Sequence, residues 1–147
     1  MIAASAAGCL GEGIDEWVVN ETLSVTSATQ YQGPNCNCCD VYADYLQDHI
    51  NVNLEVTVSD DLPAIKEKYG IPADVRSCHT VELDAYVVEG HMPVEVIATL
   101  LEDDPDIDGI ALPGMPAGSP GMGGQKNEAW TVHEIRTSGE IVVYTRI

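Results

Sequence analysis

Phenylalanine is absent from this chain, lysine occurs only three times, and no apolar run approaches the ~20 residues a bilayer span requires. Any membrane attachment would therefore have to be by an anchor. The shortage of cations excludes more. Against 6 Lys and Arg stand 24 Asp and Glu, a formal charge of −18, which opposes binding to a phosphate backbone and removes nucleic acid from the expected partners. The acids are dispersed along the chain, as on the solvated surface of a protein from a salt-loving organism, where salt screens self-repulsion. The densest run, Glu102-Asp103-Asp104-Pro105-Asp106, lacks the ligand order of an EF-hand loop. With 147 residues the chain has room for one domain and its core.

What the chain does have is thiols. Five cysteines is an odd number, so one is expected to have a separate fate. Cys9 ends the small-residue stretch Ile2-Ala3-Ala4-Ser5-Ala6-Ala7-Gly8-Cys9. That stretch reads either as the tail of a secretory signal with a lipobox, which would lipidate Cys9, or as a small-residue terminus with an incidental cysteine. Residues 1–21 are accordingly assigned to a signal-peptide remnant and an acidic tether, and 22–147 to the folded domain. Three further thiols fall within Pro34-Asn35-Cys36-Asn37-Cys38-Cys39-Asp40-Val41-Tyr42. Cys78-His79 and His91-Met92 follow, and a Gly/Pro-rich loop over 111–124 carries Met115 and Met122.

The periodicities predict how these groups are displayed. Residues 22–31 read as a strand leading to the Gly33-Pro34 turn. From 39 to 50 the residues Val41, Tyr42, Tyr45, Leu46 and Ile50 recur at helical spacing as one buried face, with Asp40, Asp44 and Asp48 outside. The thiols thus stand at a helix N-terminus. Leu54, Val56 and Val58 alternate as a half-buried strand would, and Pro63 opens a helix that Gly70 stops. A hairpin over 80–83 and 86–89 precedes a helix from Pro93, and residues 130–146 form a second hairpin turning at Ser138-Gly139. The order βαβαββα, with a C-x-x-C spacing after the first strand, predicts an α/β thioredoxin-like sandwich carrying an added loop and a C-terminal hairpin.

Thiolate is the form that attacks disulfides and binds metals, and a helix N-terminus favours it. Thiol–disulfide exchange would use Cys36 and Cys39 as catalytic residues and leave Cys38 and Cys78 surplus. Metal binding uses all four. Thioredoxin-like oxidoreductases usually have a cis-proline before the third strand, where this chain has Ser77-Cys78-His79. Thiolate, imidazole and thioether together favour Cu(I) over Zn(II), and four cysteines exceed the need of one linear or trigonal Cu(I), so bridging thiolates holding more than one copper are expected. The expected ligands are Cys36, Cys38, Cys39 and Cys78, with His79 or His91 completing the site and Met92, Met115 and Met122 as outer ligands. His49 and His133 read as structural. A structural zinc module is a third class, opposed by a core large enough to fold alone.

The phrases Cys36-Asn37-Cys38-Cys39, Ser77-Cys78-His79-Thr80, Val88-Glu89-Gly90-His91-Met92-Pro93 and the run from Leu112 to Met122 resemble, in this order, the CopG-type copper-resistance family, also known as a domain of unknown function. The likeness runs over residues 22–147. It implies a thioredoxin-like fold, an extracytoplasmic location, and copper held by the cysteines with help from histidines and methionines. A role in copper homeostasis, with a copper-transfer partner protein, would follow. The chain departs from the family at Asn37 and Asp40, where glycine is frequent, and at Tyr42, where tryptophan is common; every expected ligand is intact.

Overall fold

The computed structural model describes residues 22–147. The assignments made for residues 1–21, including the lipobox at Cys9 and the acidic tether, lie outside the described residues.

Among the described residues eleven regular segments follow one another, and apart from a short 3-10 turn at Ala73–Val75 the first seven are the predicted ones. β1 (Ala28–Gln32) is shorter than the predicted strand: its preceding residues leave the sheet, and Leu23 instead pairs with Ile50 beyond the first helix. α1 (Asn37–Gln47) buries Cys39, Tyr42, Ala43 and Leu46, an i, i+3, i+4, i+7 stripe. Asp40, Asp44 and Asp48 are exposed as expected, but Val41 is 53% exposed and does not belong to the buried face. β2 (Glu55–Val58) runs parallel to β1 at the sheet edge. Its predicted inward residues are corrected too, since Val56 and Val58 are exposed along with Glu55, and only Thr57 is half-buried.

α2 (Leu62–Lys68) starts at Asp61, whose carboxylate accepts from the Ala64 amide at 3.4 Å. A short 3-10 turn at Ala73–Val75 leads to the antiparallel pair β3 (His79–Leu83) and β4 (Tyr86–Glu89), joined at Asp84. The Asp84 carboxylate accepts from the Thr26 hydroxyl at 2.7 Å and from the Thr26 and Ser27 amides at 2.8 and 3.0 Å, and these bonds, the hydroxyl's first, hold its pKa below the usual carboxylate range. α3 (Val94–Asp103) then follows from Pro93.

Three strands extend the sheet. β5 (Gly109–Ala111), which falls partly in the predicted loop, pairs parallel with β4; β6 (Thr131–Ile135) and β7 (Val142–Arg146) are the predicted C-terminal hairpin. The complete order is β2-β1-β3-β4-β5-β6-β7 in a mixed α/β fold. Alternation along the strands divides the core. Val81, Leu83 and Val88 join α1 and α3 in the larger apolar cluster, while Val87, Ala111 and Ile135 form a smaller one with Ile71 and Val75 after α2. Helices thus cover both faces. No helix among the described residues is long and apolar enough to cross a membrane.

Candidate metal centre

The site lies where three connections meet: the β1–α1 turn, the segment before β3, and the β4–α3 loop. Asn35 takes the left-handed conformation (φ 58°) that turns the chain back, leaving Cys36 at the N-cap of α1 with no side-chain cap of its own. The helix is held from below. Gln30, fully buried on β1, donates to the Cys39 carbonyl at 2.8 Å, and Gln32 donates to the Asp40 carboxylate at 2.7 Å. Polar residues facing a helix from a buried strand are costly unless bonded; Gln30 also donates to Gln32 Oε1 at 2.9 Å, so the two amides are joined to each other beneath the cysteine turn.

Four sulfurs converge there. Cys36 and Cys39 are joined as a disulfide, and Cys38 and Cys78 are free. Cys38 Sγ lies 3.6 Å from Cys36 Sγ and 4.0 Å from Cys78 Sγ. Cys78 is also the hinge to a second group, with His79 Nδ1 at 3.3 Å and His91 Nε2 at 3.1 Å from its sulfur. Donor atoms lie within 4.8 Å of one another in each of two sets, Cys36-Cys38-Cys39-Cys78 and Cys78-His79-His91. Neither set contains a carboxylate. The donor chemistry fits a soft or borderline metal and does not fit Ca(II) or Mg(II).

The electrostatics suit neutral nitrogen donors. Burial, with His91 and Lys66 nearby, holds His79 well below the ordinary imidazole range, and burial lowers His91 as well. Burial pushes the Cys78 thiol up to about 12, and Cys38 beside it adds to the shift. Metal-free protein therefore carries Cys78 protonated at neutral pH, and a bound cation would have to displace that proton. Tyr42 braces both rings: it stacks on His79 at 4.5 Å, meets His91 edge-on at 5.4 Å, and donates its hydroxyl to the Met92 carbonyl at 2.7 Å.

These shifts make a pH prediction. In the unfolded chain a histidine takes a proton below pH ~6.5, whereas folded His79 does not, so stability falls as pH drops through that value, by up to ~1.4 kcal/mol per pH unit. Glu89, raised by burial, acts in the opposite sense at lower pH. Denaturant midpoints of the metal-free protein should fall from pH 7.5 to 5.5, and should fall less for His79→Gln; parallel profiles would contradict this.

A second set of residues holds the ligand segments in place. Glu89 is fully buried and accepts from the Lys66 ammonium and the Thr80 hydroxyl, both at 2.6 Å, and from the Ser77 amide at 2.8 Å. Lys66 also donates to Thr80 at 2.9 Å. One carboxylate at the end of β4 thus ties down the segment bearing Cys78 and His79, two residues before His91. The Gly/Pro-rich loop is fixed as well: the Pro120 carbonyl meets His91 Nδ1 at 2.7 Å. Gly121, at φ 81°, presses so close that a Cβ would stand 3.0 Å from the Tyr42 amide, 3.1 Å from His91 Nδ1 and 3.2 Å from the Cys38 carbonyl. Gly121→Ala is expected to cost about 1–3 kcal/mol in chemical denaturation, through strain and steric displacement of the loop. Unchanged stability would show that the loop does not bear on the helix.

Of the sequence-derived candidates, the structure gathers Cys36, Cys38, Cys39, Cys78, His79 and His91. Met92 is placed in the apolar core, Met115 is 41% exposed and Met122 is half-exposed on the loop. His49 bonds the Tyr45 carbonyl at 2.6 Å in a structural role. Sequence reasoning missed Gln30, Gln32, Lys66, Thr80, Glu89 and Gly121. For Glu89 a signal existed: an acid ending the apolar run Tyr86-Val87-Val88 of an inner strand needs a buried partner.

Comparison with known proteins agrees with this geometry. Residues 75–122, which span Cys78, His79, His91 and the loop, match the family described as "Protein of unknown function, DUF411". No curated protein matches the chain. Two solved structures do. "Copper resistance protein copG- Form 2" is 35% identical with a TM-score of 0.71, over 86% of this chain and 99% of that one. "Copper resistance protein copG- Form 1" is 34% identical with a TM-score of 0.70, over 86% of this chain and 98% of that one. With identity at that level over nearly the full length of both structures, the chain belongs to the CopG-type copper-resistance family.

Proposed function

We propose that this protein binds copper as Cu(I), in more than one copy, through Cys36, Cys38, Cys39 and Cys78, and serves copper resistance outside the cytoplasm. The observation that carries this is the convergence of four sulfurs from two distant segments within 4.8 Å. Four thiolates that close can bridge several soft ions, and each must first be reduced and deprotonated. Reduction of the Cys36–Cys39 disulfide is therefore a precondition of the full thiolate site. His79 and His91 complete the ligand set. Met92, Met115 and Met122 are assigned as outer or transient ligands for loading and release to a partner protein, and Cys9 as an optional lipid anchor. The core is read as thioredoxin-like, supported by the order β2-β1-β3-β4 with β1 and β2 parallel and β3 antiparallel to both its neighbours.

The test is anaerobic Cu(I) titration of the reduced protein against a competing chelator, followed by thiol counting. Several coppers per chain with four protected thiols are expected. Full stoichiometry in the quadruple Cys36→Ser, Cys38→Ser, Cys39→Ser, Cys78→Ser variant would refute the assignment.

One observation favours a second reading, a thiol–disulfide oxidoreductase or copper reductase using Cys36 and Cys39: these two are the pair joined in the structure. It requires turnover in an insulin-reduction or Cu(II)-reduction assay that either serine substitution abolishes. A pure chelator shows none.

A further inference from the structure

The two donor sets overlap only at Cys78, and the disulfide touches only one of them. Joining Cys36 to Cys39 withdraws two sulfurs from the thiolate set and leaves Cys38 and Cys78. The second set, Cys78 with His79 and His91, loses nothing. We propose that Cys78, His79 and His91 form a mononuclear site for a divalent cation of borderline softness, complete while Cys36 and Cys39 are disulfide-bonded, so that the disulfide selects between two metal-binding modes sharing Cys78. The inference rests on the reading of this pocket as a metal centre and goes beyond the Cu(I) assignment.

Three observations support it. The first is spacing. A tetrahedral ion with bonds of ~2.3 Å to sulfur and ~2.0–2.1 Å to nitrogen holds sulfur and nitrogen about 3.5 Å apart; the two gaps here are 3.3 and 3.1 Å. Both sulfur–nitrogen gaps are thus close to those of a bound ion, with the two nitrogens within 4.8 Å of each other. The second is orientation. The Pro120 carbonyl at 2.7 Å accepts from His91 Nδ1, which leaves Nε2 as the lone-pair nitrogen facing Cys78. An outer carbonyl of this kind fixes the tautomer of a ligating histidine.

The third is an imbalance at His79. It is fully buried, its Nδ1 faces the Cys78 sulfur, and its Nε2 has no hydrogen-bond partner. Buried polar side-chain atoms are normally bonded, and a structural histidine would have been expected to find two partners. Here the ring's polar contact is spent on one weakly bonding thiol. A cation on Nδ1 and the sulfur would replace that weak contact with a coordinate bond, while Nε2 stays the protonated, unpartnered nitrogen. Three protein donors leave a fourth tetrahedral position open, as in zinc sites that accept an exogenous ligand.

The switch balances simply. A small-molecule disulfide RSSR oxidises the two thiols, giving the Cys36–Cys39 bond and two RSH; a thiol or phosphine reductant reverses it. In the reduced protein Cys78 joins the thiolate set and softer monovalent ions are favoured. In the oxidised protein, thiolate donors are fewer and imidazole dominates, which favours divalent ions.

The experiment uses the full chain carrying Cys9→Ser, so that the free thiols of the disulfide form are Cys38 and Cys78. Titration with Co(II) alone should give one ion per chain, with a sulfur-to-cobalt charge-transfer band and intense visible ligand-field bands. His91→Gln should weaken binding at least about ten-fold, and Cys78→Ser should abolish the charge-transfer band. Because substitution in a buried pocket can disturb folding, a second measurement uses unsubstituted histidines: imidazole nitrogen resonances on adding Zn(II) should shift for two of the four histidines. No Co(II) binding by the disulfide form, binding unaffected by both substitutions, or Zn(II) shifts at none or all of the histidines would overturn the proposal. Cu(I) titration of the reduced chain separates the two claims. If it binds Cu(I) while the disulfide form ignores Co(II), only the present inference fails; if it binds neither, the pocket is not a metal centre.

Discussion

Lys66→Met is expected to lower stability by about 3–5 kcal/mol, the cost of leaving a buried charge without its partner, and to lower the melting temperature by roughly 10 °C or more. The Lys66 ammonium and the Glu89 carboxylate are 2.6 Å apart with side chains 6% and 0% exposed. Water cannot replace the lost cation. Desolvation already pushes the Glu89 pKa up, and Lys66 is the largest influence holding it down. Adding Glu89→Gln to Lys66→Met should recover much of the loss, because the amide removes the charge while its oxygen still accepts from the Ser77 amide and its NH2 donates to the Thr80 hydroxyl oxygen. Thermal melts of the single and double variants decide it. A double variant no more stable than Lys66→Met would mean that packing of the lysine stem, and not the unpaired charge, sets the cost.

Cys78→Ser is expected to weaken Cu(I) binding by at least about a hundred-fold and to reduce the number of coppers held. Outer partners of a metal ligand are themselves worth 10–100-fold, and Cys78 belongs to both donor sets, the one donor that joins the helix-borne sulfurs to the histidines. A hydroxyl is a poor ligand for a soft ion. Cys38→Ser should cost less, since it leaves Cys78 with the imidazoles. Competition with a chromophoric chelator, run anaerobically on reduced protein, measures both. Equal losses for the two variants would contradict the joining role of Cys78, and no loss for Cys78→Ser would place the metal on the helix thiols alone.

Much of this was legible in the sequence because the signals were local. The helix stripe through Tyr42 and Leu46, the proline and glycine bounding α2, and the hairpin broken at Asp84 all follow from spacing within a few residues. The clustering of cysteines and histidines was legible too, since each lies at an element end and the βαβαββα order brings those ends to one edge. What escaped depends on distant neighbours. Val41 reads as inward because it is apolar and adjacent to the stripe, but nothing among the described residues covers that side of α1. Val56 and Val58 were assigned inward by alternation, which states that two faces differ and not which one is covered. The Lys66–Glu89 pair joins residues 23 apart on α2 and β4, and no short-range pattern marks a lysine for burial. Gly121 bears on Tyr42 and His91 through a backbone approach that sequence spacing does not encode. The disulfide is a matter of redox state as much as of sequence: C-x-x-C permits it, and the thiolate site requires its absence.

The central claim is that the four convergent cysteines hold Cu(I). Copper K-edge X-ray absorption of the anaerobically loaded, reduced protein tests it most directly. The account predicts an edge characteristic of Cu(I), a first shell dominated by sulfur, and copper–copper scattering from bridging thiolates, all lost in the quadruple cysteine-to-serine variant. A first shell of nitrogen and oxygen without copper–copper scattering, or an unchanged spectrum in that variant, would contradict it.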